Sequence, residues 1–256
     1  MKSENKQKFS LTGLLVVTGV LLLLIAVLIP QIRWAMLQAD LHMVGRQGQA
    51  IFLAIEAGGG CEPLGHRSLW PRTQIEERKN RNVAEEQDIS EMAFSNSTRY
   101  FYVLYDGKSI GDQLCWSPYA PWLDYSQLAG LGVPKMVGTG VLQPENNMWC
   151  IAANLTDDTD DMIPVLVTRN IDCSSFHIKT QANPDTPLRW SQQYVTPFGN
   201  RGFVMLRRSG AIFHGTAKYA TTGAIYPVGD GLQSVAGNTN LASLVYLTPD
   251  GIAYPQ

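Results

Sequence analysis

The sequence predicts an α+β protein in which a long N-terminal transmembrane helix packs by its C-terminal half on an antiparallel β-sheet head. Three observations carry this expectation. No residue from Phe9 to Ile32 is charged, and 17 of those 24 residues are hydrophobic. Next, Leu37, Leu41, Val44, Gly48, Ile51 and Ile55 recur at spacings of four and three, which places them on one helical stripe. Finally, the second half of the chain holds short apolar or β-branched runs bounded by turn residues.

The chain has 256 residues, of which 45% are hydrophobic and 16% charged, with a formal net charge of −2. That length fits one domain with an appendage. There is no basic surplus to neutralise phosphates, so a nucleic-acid partner is not expected. Frequent aromatics and low net charge exclude disorder for most of the chain.

Residues 1–8 form a polar, leader-like segment with Lys2, Lys6 and Lys8 against Glu4. Residues 9–32 would make a helix about 36 Å long, enough to cross a ~30 Å hydrocarbon core. A cleaved secretory signal has a shorter apolar region and a small-residue cleavage site, and neither is present, so a signal anchor is the reading. The lysines favour a cytoplasmic N-terminus, although Arg33 and Arg46 on the far side blunt the asymmetry. This places residues 33–57 and the head, residues 58–256, on the far side of the membrane. The rival for 9–32 is a buried core helix, which rarely reads apolar all round for this length. Pro30 removes one helical hydrogen bond and predicts a kink. Gly58-Gly59-Gly60 stops the helix.

In the head, Trp70-Pro71 is expected to anchor the loop that follows the helix. Arg72 to Glu91 holds ten of the 42 Asp, Glu, Lys and Arg residues and reads as a solvated face, with a docking patch as the alternative. Ser95-Asn96-Ser97 caps a short helix whose stripe is Tyr100, Phe101, Leu104 and Tyr105. Asp124 to Leu128 predicts one helical turn. Strands are predicted at Met148–Leu155, Ile163–Thr168, Arg201–Arg207, Ala211–Gly215 and Ser243–Thr248, with Ser209-Gly210 as a hairpin turn.

Lys8 to Val17, Lys-Phe-Ser-Leu-Thr-Gly-Leu-Leu-Val-Val, resembles the N-terminus of type IV pilins and type II secretion pseudopilins. Phe9 corresponds to the family's first mature residue, and Pro30 falls where members often carry a helix-kinking proline. Trp116–Tyr119, Leu128–Pro134, Trp149–Asn154 and Pro164–Asn170 resemble pseudopilin-like heads of Gram-negative bacteria. The resemblance implies a pilin-like fold and a cleavage and N-methylation junction at Lys8 and Phe9. It implies a structural subunit of a type II secretion or type IV pilus-like assembly. Its partners would be the inner membrane, other pilin-like subunits along the N-terminal helix and a prepilin peptidase. Two positions depart from the family: Lys8 stands where a small residue precedes the cleavage, and Gly13 stands where members carry a glutamate. Both favour the alternative of a membrane-tethered periplasmic binding or adhesion module that no longer polymerises.

The four cysteines are Cys61, Cys115, Cys150 and Cys173. In an oxidising periplasm they allow three pairings. Cys150 and Cys173 flank a strand–loop–strand unit and would face each other, leaving Cys61 with Cys115; Cys150 as a buried free thiol is the alternative. Asp157, Asp158, Asp160 and Asp161 form an oxygen-rich loop of the kind calcium takes, but the EF-hand spacing is absent and a solvated turn is the stronger reading. No other cofactor is expected. His42, His66, His177 and His214 are scattered, and no HExxH, G-x-S-x-G, P-loop or G-x-G-x-x-G occurs. No active site is expected, and a periplasmic enzyme built from distant residues is the remaining option.

Overall fold

A computed structural model describes residues 11–58, 69–74, 93–106, 123–136, 141–156, 159–177, 183–225 and 243–255. The chain divides into two compact units, Met1–Asp40 and Leu41–Gln256.

The first unit's described part is helical throughout. It is the beginning of α1, which runs Leu11–Gly58 and is helical through Pro30. From Leu11 to Ile32 its side chains are exposed. The continuous aliphatic run explains both facts: leucine-rich segments favour helix, and apolar residues on every side leave no polar face for water.

The second unit begins at Leu41, where the apolar residues of α1 become periodic. Leu41, Val44, Ile51 and Ile55 are fully buried, joined by Gly48 on the predicted stripe and by Phe52 and Ala54 beside it. Arg46, off the stripe, is exposed.

This amphipathic end of α1 packs on a six-stranded antiparallel sheet. The strands are β1 (Trp149–Ala153), β2 (Pro164–Thr168), β3 (Gly202–Arg207), β4 (Ile212–Thr216), β5 (Val245–Leu247) and β6 (Ile252–Ala253). Their spatial order is β4-β3-β2-β1-β5-β6. The chain steps outward from β1 to β4 by consecutive antiparallel pairings, then returns to lay β5 on the free side of β1. Ile151, at the sheet centre, pairs with Leu166 on β2 and Leu247 on β5.

Every residue of β1 and β2 is buried. A half-covered sheet would alternate. Here both faces are covered. A Cβ on Gly48 would lie 2.7 Å from Trp149 Cη2 and 2.5 Å from Leu206 Cδ1, so these two residues face α1. On the other face Phe176 meets Tyr246 edge-on at 5.2 Å, and Trp190 meets Phe203 at 6.4 Å. The second cover is the connection between β2 and β3, which carries Phe176, Trp190 and Phe198 and, among its described residues, little regular structure. A helix-on-sheet pair alone does not anticipate this layer.

The short helix α2 (Ser97–Asp106) starts as its sequence predicts: the Arg99 N–H donates to Asn96 Oδ1 at 2.7 Å. Tyr100, Phe101 and Leu104 are fully buried, while Tyr105 is partly exposed. Trp70 Nε1 donates to Glu56 Oε1 at 2.8 Å, which ties the chain after α1 back to the helix. Tyr100 Oη donates to Leu69 O at 2.9 Å, and burial, then Glu56, holds that phenol well above its ordinary range. The single turn at Tyr125–Gln127 is capped by Asp124, whose carboxylate is lowered by its bonds from Ser126. A last short helix, α3 (Thr222–Ile225), follows β4.

Candidate functional site

The first candidate is the uncovered part of α1. Leu11 to Ile32 is 22 residues, about 33 Å of helix at 1.5 Å per residue. An 18-residue window reaches a mean hydropathy of 2.9 with none of it buried, so α1 is long and apolar enough to cross a membrane. Thr18 Oγ1 donates to Leu14 O at 2.8 Å, so its hydroxyl is satisfied inside the helix, as a hydrocarbon environment requires. The first charge within α1 is Arg33, next to an exposed Trp34. An indole beside a guanidinium at the end of an apolar run suits the boundary between acyl chains and water. A Cβ on Gly19 would meet nothing within 4 Å. The expected junction, Lys8 and Phe9, lies outside the described residues.

Where α1 meets the sheet, glycines set the approach. A Cβ on Gly45 would fall 2.4 Å from His214 Nε2. The His42 and His214 rings stand edge-to-face with centroids 4.5 Å apart. His214 Nε2 is buried with no hydrogen-bond partner among the described residues. Burial, then the neighbouring His42, lowers the His214 pKa, which favours a neutral imidazole.

The second candidate is a polar node around Arg169, just past the end of β2. Its Nη1 donates to Pro144 O at 2.9 Å and Asn147 O at 2.8 Å, and its Nη2 to Thr196 Oγ1 at 2.6 Å. Its guanidinium carbon sits 4.6 Å from the Tyr194 ring centroid. Burial lowers its pKa, but these acceptors and the ring satisfy the cation in place of water. Next to it, Asn170 Nδ2 donates to Gly199 O at 2.7 Å and Gly202 O at 2.8 Å. Asn147 Nδ2 donates to Ser97 Oγ at 2.9 Å, and its Oδ1 accepts from the Trp149 N–H at 3.0 Å. The donors are spent on the backbone carbonyls of Pro144, Asn147, Gly199 and Gly202 and on the hydroxyls of Thr196 and Ser97. This is the chemistry of a clamp that fixes loops on the sheet, rather than of a group presented to a ligand. Sequence reading missed it. The available signal was an Arg-Asn pair directly after a five-residue apolar strand.

Of the four expected acids, Asp157 and Asp158 lie outside the described residues. Asp160 Oδ1 accepts the Met162 N–H at 2.7 Å, and its carbonyl accepts from Ile163 at 3.1 Å, which closes a turn. The Asp161 carbonyl accepts from Ser209 at 3.1 Å. No group of three metal-ligating side chains occurs among the described residues.

Cys150 and Cys173 are both buried and unbridged. Burial, then the neighbouring Cys150, pushes the Cys173 thiol well above its ordinary range. Cys61 and Cys115 lie outside the described residues.

A cleft of about 470 Å³ opens between the start of the head and its C-terminal strands, lined by Arg72, Asn154, Thr156, Ser243 and Tyr254 among others. Asn154 is occupied: its Nδ2 donates to Thr73 Oγ1 and Ser243 O, both at 2.8 Å.

No protein-family model matches the chain, and no curated protein or solved structure is significantly similar to it.

Proposed function

We propose that this chain is a membrane-anchored, pilin-like structural subunit of a type II secretion or type IV pilus-like assembly. Its head would lie in the periplasm. One observation carries the reading: a single helix passes from a bare, uncharged stretch long enough to span a bilayer into a stripe that docks on an α+β head. The resemblance of Lys8–Val17 to pilin N-termini supplies the assembly. In that role the function of the helix is packing. Its apolar surface is held by lipid before assembly and by neighbouring helices afterwards. The head contributes a rigid body, whose loops the Arg169 node holds in place.

A second reading is favoured by Gly13. Where the family has a carboxylate to pair inside the filament, this chain has no side chain, so a tethered head that does not polymerise fits as well. The native N-terminus distinguishes the two. A mature chain that begins at methylated Phe9 and is recovered in sheared filaments supports the subunit. A chain that keeps residues 1–8 and stays in the inner membrane supports the tethered module. Recovery as a water-soluble chain overturns both.

A further inference from the structure

The contact between α1 and β4 holds two histidines that neither anchoring nor assembly uses. His42 stands on α1 beside Leu41, and His214 lies at the middle of β4, an edge strand of the sheet. A Cβ on Gly45 would lie 2.4 Å from His214 Nε2 and 3.0 Å from Ile212 Cγ2. Ile212 and His214 are two apart on the strand, so both sit on the sheet face that α1 covers. His42 precedes Gly45 by three residues and shares its side of the helix, which brings the two rings edge-to-face with centroids 4.5 Å apart.

The polar chemistry of this pair is unused. His214 Nε2 is buried with no hydrogen-bond partner, and neither ring hydrogen-bonds to another described residue. A buried polar atom left unpaired is costly. Burial, then His42, keeps the His214 imidazole neutral, so one of its ring nitrogens carries a lone pair. Neutral imidazole is the form that binds a metal ion. Zinc takes imidazole nitrogen at about 2.0–2.1 Å, so one ion bound to both rings holds the two nitrogens at most about 4 Å apart. Rings with centroids 4.5 Å apart can meet that limit. His42 is exposed, so its ring is free to turn a nitrogen toward His214 and leave the ion's other positions to water. Among the described residues His42 is the one ionisable group that acts on His214. A donor set of two imidazoles without a carboxylate suits zinc, copper or nickel and not calcium or magnesium.

We infer that His42 and His214 form a two-imidazole site for a borderline divalent cation of the zinc, copper and nickel class, completed by water, which clasps the docked part of α1 to the edge strand β4. The ion binds the folded head, where the two rings meet, and loses one ligand or the other when helix and strand part. Binding therefore stabilises the docked helix. The site lies wholly within the head and depends neither on assembly nor on the side of the membrane.

The test uses the full chain without a histidine tag, in detergent micelles, stripped with EDTA, dialysed and titrated with zinc chloride. Zinc uptake should fall by one equivalent in His42→Gln and in His214→Phe, and should not change in His66→Gln or His177→Gln. With zinc at about a hundred times its dissociation constant, the head should melt about 5–10 °C higher than with EDTA, and His42→Gln should lose that rise. Because His42 is exposed, His42→Gln leaves the packed core of the head intact and stays informative if His214→Phe does not fold. In the chain labelled at its four histidines, zinc should shift the ring resonances of the two that His42→Gln and His214→Phe remove. Zinc uptake by His42→Gln equal to that of the wild type overturns the site, as do resonance shifts confined to His66 and His177, or no uptake at all.

Discussion

The two parts of α1 use the same aliphatic residues to opposite ends. Between Leu11 and Ile32 the side chains are bare: Leu15 is 68% exposed and Leu22 61%. From Leu41 onward, Leu41, Val44 and Ile51 are at 0%. Backbone and propensity hardly differ. Spacing and the polar residues between do. The first part is apolar on all sides and needs a surrounding apolar medium. The second is apolar on one stripe and finds its cover in the head's own sheet. The hydrophobic effect is the same per unit area in both, and only the source of the cover changes.

That contrast can be broken most directly by exchanging what each part loses. Ile51→Ala should destabilise the head by about 2–5 kcal/mol, because it removes buried methyl groups and leaves a cavity. The melting temperature of the head should fall by roughly 5–20 °C, with the membrane-bound fraction unchanged. Leu22→Arg should do the reverse. A charge at mid-helix costs about 2.5–3.5 kcal/mol of insertion, read as loss from the alkali-resistant membrane fraction, while the head melts as before. A Leu22→Arg chain that melts earlier in its head, or an Ile51→Ala chain that leaves the membrane, would show that the two parts are not energetically separate.

Glycines sharpen the comparison at smaller scale. At Gly19 an added Cβ meets open space, so Gly19→Ala gains helix propensity, up to about 1 kcal/mol, without a clash. At Gly48 the same methyl lies 2.5 Å from Leu206 and 2.7 Å from Trp149, on a packed strand and a rigid ring. Gly48→Ala should cost about 1–3 kcal/mol despite the propensity gain, because the helix must lift from the sheet. Thermal melts of the two variants should move in opposite directions or, for Gly19, not at all.

How far the fold was legible follows the same physics. The α1 stripe and the first five strands of the sheet could be read because local patterns encode them: period 3.6 in one, apolar runs between turns in the others. Strand β6, two residues long, carries no period to read. The return of β5 to the side of β1 is set by closure of the whole sheet, not by any window of sequence. The second cover, from Phe176 to Phe198, was unreadable for a related reason. Its aromatics are scattered through irregular backbone, and what makes it a layer is the clamp of Arg169 on the Thr196 hydroxyl and of Asn170 on the Gly199 and Gly202 carbonyls. Cys150 and Cys173 were expected to face each other because they flank one strand pair; both are buried and unbridged. Lys8, Phe9, Cys61 and Cys115 fall outside the described residues.

The smallest expected effect is in pH, and it too should divide the chain. Leu11–Asp40 contains no histidine, so membrane retention should not change between pH 7 and pH 5. The head contains His214, whose folded-state pKa is held below its ordinary value of about 6.5 by burial and then by His42. Above that ordinary value both folded and unfolded chains carry a neutral imidazole, and stability is at its full level. As the pH falls below it, the unfolded chain takes up a proton that the folded head resists. Stability is then lost progressively until the pH passes the folded-state pKa, where the slope ends. His214→Phe keeps a ring against His42 and Gly45 but removes the titration. Its denaturant midpoint should therefore fall less between pH 7 and pH 5 than that of the wild type. Equal slopes in the two chains would mean that the His214 imidazole is solvated as freely in the head as in the unfolded state, and that the contact between α1 and β4 is looser than its 4.5 Å ring spacing implies.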